Sequence, residues 1–171
     1  DCDDIAAVRI ACYGVKNNVW DISGIVLNAC MPYSAASLTA FLTHENMEQI
    51  PIGIDLDAVD FGGNPTYQKP LSDYHHYIKR NEDCENGLEL YRRLLSESTD
   101  CSVEIIEIGY PQVLANLLSD DGGIELVRKK VSRLWMMAGN WQNDGCGYEN
   151  NITRSRRSIE GAVIVFDRCP V

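Results

Sequence analysis

The sequence has no long hydrophobic run. No stretch approaches the roughly 20 apolar residues that span a bilayer as a helix, and the opening Asp1-Cys2-Asp3-Asp4 is the reverse of a basic signal peptide. No membrane partner is expected. Positive charge is also scarce: 15 Lys and Arg stand against 25 Asp and Glu, a net charge of −10. A nucleic-acid surface needs clustered cations to displace counterions from phosphates, so nucleic acid is not an expected partner either. The two short basic runs, Arg128 to Lys130 and Arg154 to Arg157, read as solvated faces. Histidine is nearly absent, and none of His44, His75 and His76 has the spacing of a metal-binding pair or a catalytic triad. The seven cysteines are odd in number and irregularly spaced, without a Cys-x-x-Cys pair, and read as unpaired thiols. That favours a reducing, cytoplasmic compartment, with secretion as the alternative.

What is present is ordinary globular material. A chain of 171 residues with 45% apolar and 23% charged side chains can bury one sizeable core. Ile5 to Val15 carries apolar residues at helical spacing, and Asp21 to Leu27 is a short β-branched run. The alternation repeats with a helix over Ala35 to Met47 and a strand over Ile50 to Ile54. Residues 55 to 86, rich in Asp, Gly, Asn, Pro and Tyr, read as a long connection lying over a site. Helix signals return over Gly87 to Ser98, followed by a strand (Val103 to Ile108), two helices (Gln112 to Leu118 and Ile124 to Val131) and a strand (Ser132 to Met137). This order implies right-handed crossovers and an α/β fold: a mostly parallel open sheet, Rossmann-like, with helices on both faces. Ligands of such sheets bind beyond the carboxyl ends of the strands. The positions there are Asn28, Asp55, Ile108 with Gly109, and Ala138 to Asn151.

Two segments carry candidate chemistry. Asp1, Asp3 and Asp4 crowd the head of a helix, where they either complement the helix dipole or offer hard oxygens to Ca²⁺ or Mg²⁺. The Gly-rich stretch Met136 to Asn151 gathers Asn140, Asn143, Glu149, Asn150 and Asn151 directly after a strand. It is either a polar surface loop or a set of paired donors and acceptors suited to vicinal sugar hydroxyls. Asn151-Ile152-Thr153 also fits the N-glycosylation triplet, which a ligand role for Asn151 would contradict.

Six segments match one family in order: DCDDIAAV at 1 to 8, GIVLN at 24 to 28, IPIG at 50 to 53, IGYPQVLANLL from Ile108, LWMMAGNW from Leu134, and YENN at 148 to 151. Together they resemble the amino-terminal half of a nucleoside hydrolase. The resemblance implies a calcium-dependent enzyme of purine and pyrimidine salvage. It would cleave the N-glycosidic bond of a ribonucleoside to ribose and free base, with a calcium-activated water attacking C1′ as the base departs. By the same resemblance Asp4 would be a calcium ligand and Ile108 would give calcium its backbone carbonyl. Asp3 and Asn28 would lie near the ribose, and Asn143, Glu149 and Asn151 would hold the ribose hydroxyls. The Asp expected as general base would precede Asp1, so no residue of this chain is assigned as catalytic. A further calcium-binding Asp and a His near the leaving base belong to the carboxyl-terminal half of family members. The chain opens inside one motif and stops at the start of an apparent strand. Residues 1–171 are therefore expected to form a single α/β domain, an incomplete portion of a longer one, inactive alone. Val113 stands where many members have Asn, and Thr153 to Arg157 replaces a usual Asp-Pro segment, as in a divergent branch.

The implied partner is a small-molecule nucleoside, and a homo-oligomer stays open. Two other functions remain: a catalytically inactive nucleoside- or ribose-binding protein of the same fold, and a structural module that binds neither metal nor nucleoside.

Overall fold

The computed structural model describes residues 2–63, 65–139 and 149–171. It is an α/β structure of helices and short parallel sheets, as the alternating pattern predicts, and the chain divides into two compact units, Asp1–Leu90 and Tyr91–Val171. Among the described residues no helix is long and apolar enough to cross a membrane, and no disulfide joins the cysteines.

In the first unit, helix α1 (Cys2–Lys16) has Asp3 and Asp4 in its first turn and Lys16 in its last, so charge at both ends matches the helix dipole. The chain leaves it through Asn18 at φ 56°, a left-handed conformation that Asn tolerates better than most residues. The Trp20 indole then folds back and donates to the Ala11 carbonyl at 3.0 Å. Strand β1 (Ile25–Leu27) leads into α2 (Ser34–Glu45), which is buried from Ser34 through Leu42 and again at Glu45. Covered on nearly every side, α2 is a core helix rather than an amphipathic surface one. Strand β2 (Ile52–Ile54) lies parallel to β1 with Leu27 opposite Ile54. Cys12, Leu38, Leu42, Met47, Ile50 and Ile52 form the core, with Val8, Val15, Ile25 and Leu27 packed against it.

Glu45 is the charged member of this core. Its carboxylate is 8% exposed and receives Lys16 Nζ at 2.6 Å and Arg9 at 2.9 Å. The Lys16 hydrogen bond holds Glu45 below the usual carboxylate range against the opposing pull of burial, with the Lys16 and Arg9 charges assisting. A folded pKa below the unfolded one adds stability that is complete above the unfolded value and is lost as pH falls through the folded one. Both cations reach water, so the pair is worth about 1–2 kcal/mol rather than the full value of a sealed pair. Glu45→Gln is therefore expected to lower the urea midpoint at neutral pH, with the gap from wild type closing as pH falls below the usual carboxylate range. A constant gap across that range would show that the carboxylate charge contributes nothing.

The 55–86 stretch is not one irregular connection. It holds α3 (Gln68–Ser72), a 3-10 turn (Asn81–Asp83) and β3 (Glu85–Asn86), which extends the sheet parallel to β2. Their period escapes the sequence because each is too short to show one. Asn81, buried, explains how the stretch is tied down. Its Oδ1 accepts from the Ala35 amide at 3.0 Å, and its Nδ2 donates to the Met31 carbonyl at 2.7 Å. An orphan donor in the first turn of α2 is thus satisfied by a side chain 46 residues away. Helix α4 (Gly87–Glu97) follows, capped by Asn86 Oδ1, which accepts from Leu88 and Glu89 amides at 3.0 and 3.2 Å. The boundary between the two units falls within α4.

The second unit pairs β4 (Val103–Glu107) with β5 (Val131–Met136) in parallel, in a register that sets Ile106 opposite Trp135 and Glu107 opposite Met136. The pleat turns Ile105 and Glu107 inward and leaves Glu104 and Ile106 exposed. Between the strands run α5 (Gln112–Leu117) and α6 (Asp121–Lys130), the latter capped by Asp120 Oδ1 on the Gly123 amide at 2.8 Å. Helices α7 (Asn150–Thr153) and α8 (Arg156–Arg168) complete it. The Arg154 to Arg157 run thus spans the break between two helices, and Ser155 caps α8 by accepting from the Ser158 amide at 3.1 Å. Helix α8 sits close on α5: a Cβ added to Gly161 would stand 3.0 Å from the Gln112 Cα.

Candidate functional site

The residues singled out by sequence fall into two groups, one in each unit. In the first, the ion pairs of Arg9 and Lys16 with Glu45 tie the second half of α1 to the last turn of α2. Helix α2 starts where β1 ends. The head of α1 carries Asp3 and Asp4 in its first turn.

Tyr67, just ahead of α3, meets that acidic head. Burial raises the phenol above its ordinary pKa, and the negative charge of Asp4 adds to this, with Cys2 and Asp3 behind it. The proton therefore stays on the phenol, which lies near enough to the acidic head to feel its charge. No sequence signal marked Tyr67, because its position depends on how a short helix packs. Asn28 follows β1 directly and stands beside Asp55, which follows β2. The Asp55 amide donates to the Leu27 carbonyl at 3.0 Å, and Asp55 Oδ1 accepts from the Asp57 amide at 3.1 Å.

In donor type, the two carboxylates at the head of α1 fit a hard cation, because their donor atoms are oxygens. Among the described residues no group of three or more His, Cys, Asp or Glu converges. Of these residues, Asp4 and Asp3 would be the carboxylates to hold a calcium ion.

In the second unit, Ile108, Glu149 and Asn151 come together. Glu149 caps α7, its two carboxylate oxygens accepting from the Asn151 amide at 3.1 Å and the Ile152 amide at 2.8 Å. This turn aims Asn151 at the strand ends. Its Nδ2 donates to the Ile108 carbonyl at 3.2 Å and to the Met137 carbonyl at 2.9 Å, just past the ends of β4 and β5. Both amide hydrogens are thereby engaged, while Oδ1 remains an acceptor. The glycosylation reading of Asn151-Ile152-Thr153 conflicts with this geometry, since a glycan on Nδ2 would disrupt both bonds. Asn143 lies outside the described residues, as do Asn140 and the rest of 140–148.

Neither a family model nor a curated protein matches this chain. What the site can do is therefore read from its own groups.

One of those groups is Glu107, which the sequence pattern alone did not single out. It is 6% exposed, points inward at the end of β4, and its Oε1 accepts from the Gly109 amide at 3.4 Å. Burial, and then the nearby Glu107 charge, push the Tyr91 phenol far up. A signal was available: Val103, Ile105 and Glu107 occupy alternate positions, so the strand pattern already placed a carboxylate where an apolar residue belongs.

Proposed function

We propose that this protein hydrolyses the N-glycosidic bond of ribonucleosides, releasing ribose and free base. The observation that carries the reading is the meeting of Ile108, Glu149 and Asn151 at the carboxyl ends of β4 and β5, from segments 43 residues apart. A turn built this way offers acceptors to adjacent sugar hydroxyls: the remaining lone pairs of Glu149 and the Oδ1 of Asn151. Both acceptors gain strength as positive charge develops on the ring in an oxocarbenium-like transition state, so the same contacts that bind ribose also lower the barrier. In the first unit, the Asp3 and Asp4 carboxylates in the first turn of α1 are oxygen donors of the kind a calcium ion takes. A calcium ion, when bound, supplies the positive charge that orients and acidifies the attacking water.

The test is ribose release from inosine and from uridine by the natural polypeptide that carries this sequence, with and without a calcium chelator. Release that the chelator abolishes and added calcium restores is the expected result. No release from either nucleoside in the presence of calcium overturns the hydrolase reading.

A second reading, a ribose-binding protein without turnover, is favoured by one observation. Both Nδ2 hydrogens of Asn151 and both oxygens of Glu149 already serve the turn. Saturable binding of inosine without release of ribose is the outcome that supports it.

A further inference from the structure

The peptide group between Ile108 and Gly109 is gripped from both edges. Its N–H, on Gly109, donates to Glu107 Oε1 at 3.4 Å, and its C=O, on Ile108, accepts from Asn151 Nδ2 at 3.2 Å. The described chain has no cis peptide bonds, so this N–H and C=O point in opposite directions in one plane. A carboxylate therefore sits at one edge of the peptide and a side-chain amide at the other. An acceptor on the N–H draws that hydrogen out and shifts electron density onto the carbonyl oxygen, which favours the bond that oxygen accepts. A carboxylate this deeply buried also has few ways to move.

We infer that Glu107 is a positioning residue. Through the 108–109 peptide it fixes and polarises the Ile108 carbonyl, and so holds Asn151 with its Oδ1 free for a ribose hydroxyl. The inference deepens the hydrolase reading and rests on it for the catalytic consequence, but the clamp itself does not depend on any activity. Glu107 acts through one peptide and one side chain.

The experiment compares the natural polypeptide with its Glu107→Gln variant, which keeps the shape and an acceptor oxygen but removes the charge. Nuclear magnetic resonance reads the Gly109 amide and the Asn151 side-chain amide, and ribose release is measured on the same samples. In wild type the Gly109 amide proton should resonate downfield, as amides bonded to carboxylates do. In the variant it should move upfield and exchange with solvent about tenfold faster, the weight of a charge-assisted bond reduced to a neutral one. The Asn151 side-chain amide signals should shift with it, and kcat/KM for inosine should fall by about tenfold. A Gly109 amide with an ordinary shift in wild type overturns the inference without recourse to any variant. So does a variant in which the Asn151 signals stay in place, even if ribose release is lost. Absence of ribose release from wild type, with both sets of signals responding, would instead remove the hydrolase reading and leave the clamp standing.

Discussion

Asn151→Ala is expected to destabilise the fold by about 2 kcal/mol and, on the proposed hydrolase reading, to lower ribose release by at least roughly a hundredfold. The two effects have separate origins. The stability loss comes from the donors: truncation leaves the Ile108 and Met137 carbonyls, at 3.2 and 2.9 Å from Nδ2, without the side chain that spans them. Each such bond is worth about 1 kcal/mol net, and for a chain of this size the sum is a fall of roughly 4–8 °C in melting temperature. The activity loss comes from Oδ1, which contributes most when the ring carries charge. Asn151→Asp separates the two further. It keeps the shape but sets a carboxylate oxygen against two carbonyl oxygens, so it should be less stable than Asn151→Ala even though less is removed. If Asn151→Ala melts with wild type, water satisfies both carbonyls and the side chain is not what joins the ends of β4 and β5.

Gly123→Ala should be strongly destabilising for the addition of a single methyl group, by about 3 kcal/mol or more. Gly123 lies in the first turn of α6, and a Cβ there would stand 1.7 Å from the Leu117 carbonyl oxygen and 2.8 Å from its carbon. Those are backbone atoms at the end of α5, and the side chains around them, Leu117 and Leu118, are fully buried, so the junction cannot yield locally. Helix α6 also runs into β5 without a loop, with Lys130 followed by Val131 as first strand residue. Any displacement of its first turn is therefore carried to the strand. The adjacent Gly122 is the control. A Cβ there meets nothing closer than Asp120 Oδ1 at 3.2 Å, a side-chain atom that has to give by only a few tenths of an ångström. Gly122→Ala should be neutral or stabilising by up to about 1 kcal/mol, because Ala loses less backbone entropy in a helix. Urea unfolding of the two variants side by side checks both, and equal midpoints would mean that α5 and α6 are not packed this closely.

The helix-strand order was readable because it depends on local periodicity. Helix α1, read over Ile5 to Val15, spans Cys2–Lys16, and α4, read over Gly87 to Ser98, spans Gly87–Glu97. Strand edges were less readable. The Asp21 to Leu27 run pairs only over Ile25–Leu27, since a strand exists only where a partner lies alongside, and β2 offers three residues. Strand β3 and α3 were invisible for the same reason in stronger form: two and five residues carry no period. Helix α8 was missed because its start is a run of arginines that resembles solvated surface. Its core contacts, Ser158, Gly161, Ala162 and Val165, are mostly small residues with little apolar signal.

For the site, the sequence by itself determined which groups are present and that they follow strands: Asn28 after β1, Ile108 after β4, the acidic head of α1, and Glu149 with Asn151 at a turn. These are local facts, set by spacing along the chain. Only the tertiary structure decided what each group faces. It turned both Nδ2 hydrogens of Asn151 onto the ends of two strands, brought Tyr67 to Asp4, and buried Glu107 against the amide that precedes the Gly109 turn. The physical reason is that hydrogen bonds and charge contacts between residues 43 or 63 positions apart follow from how helices and strands pack, which no local pattern encodes.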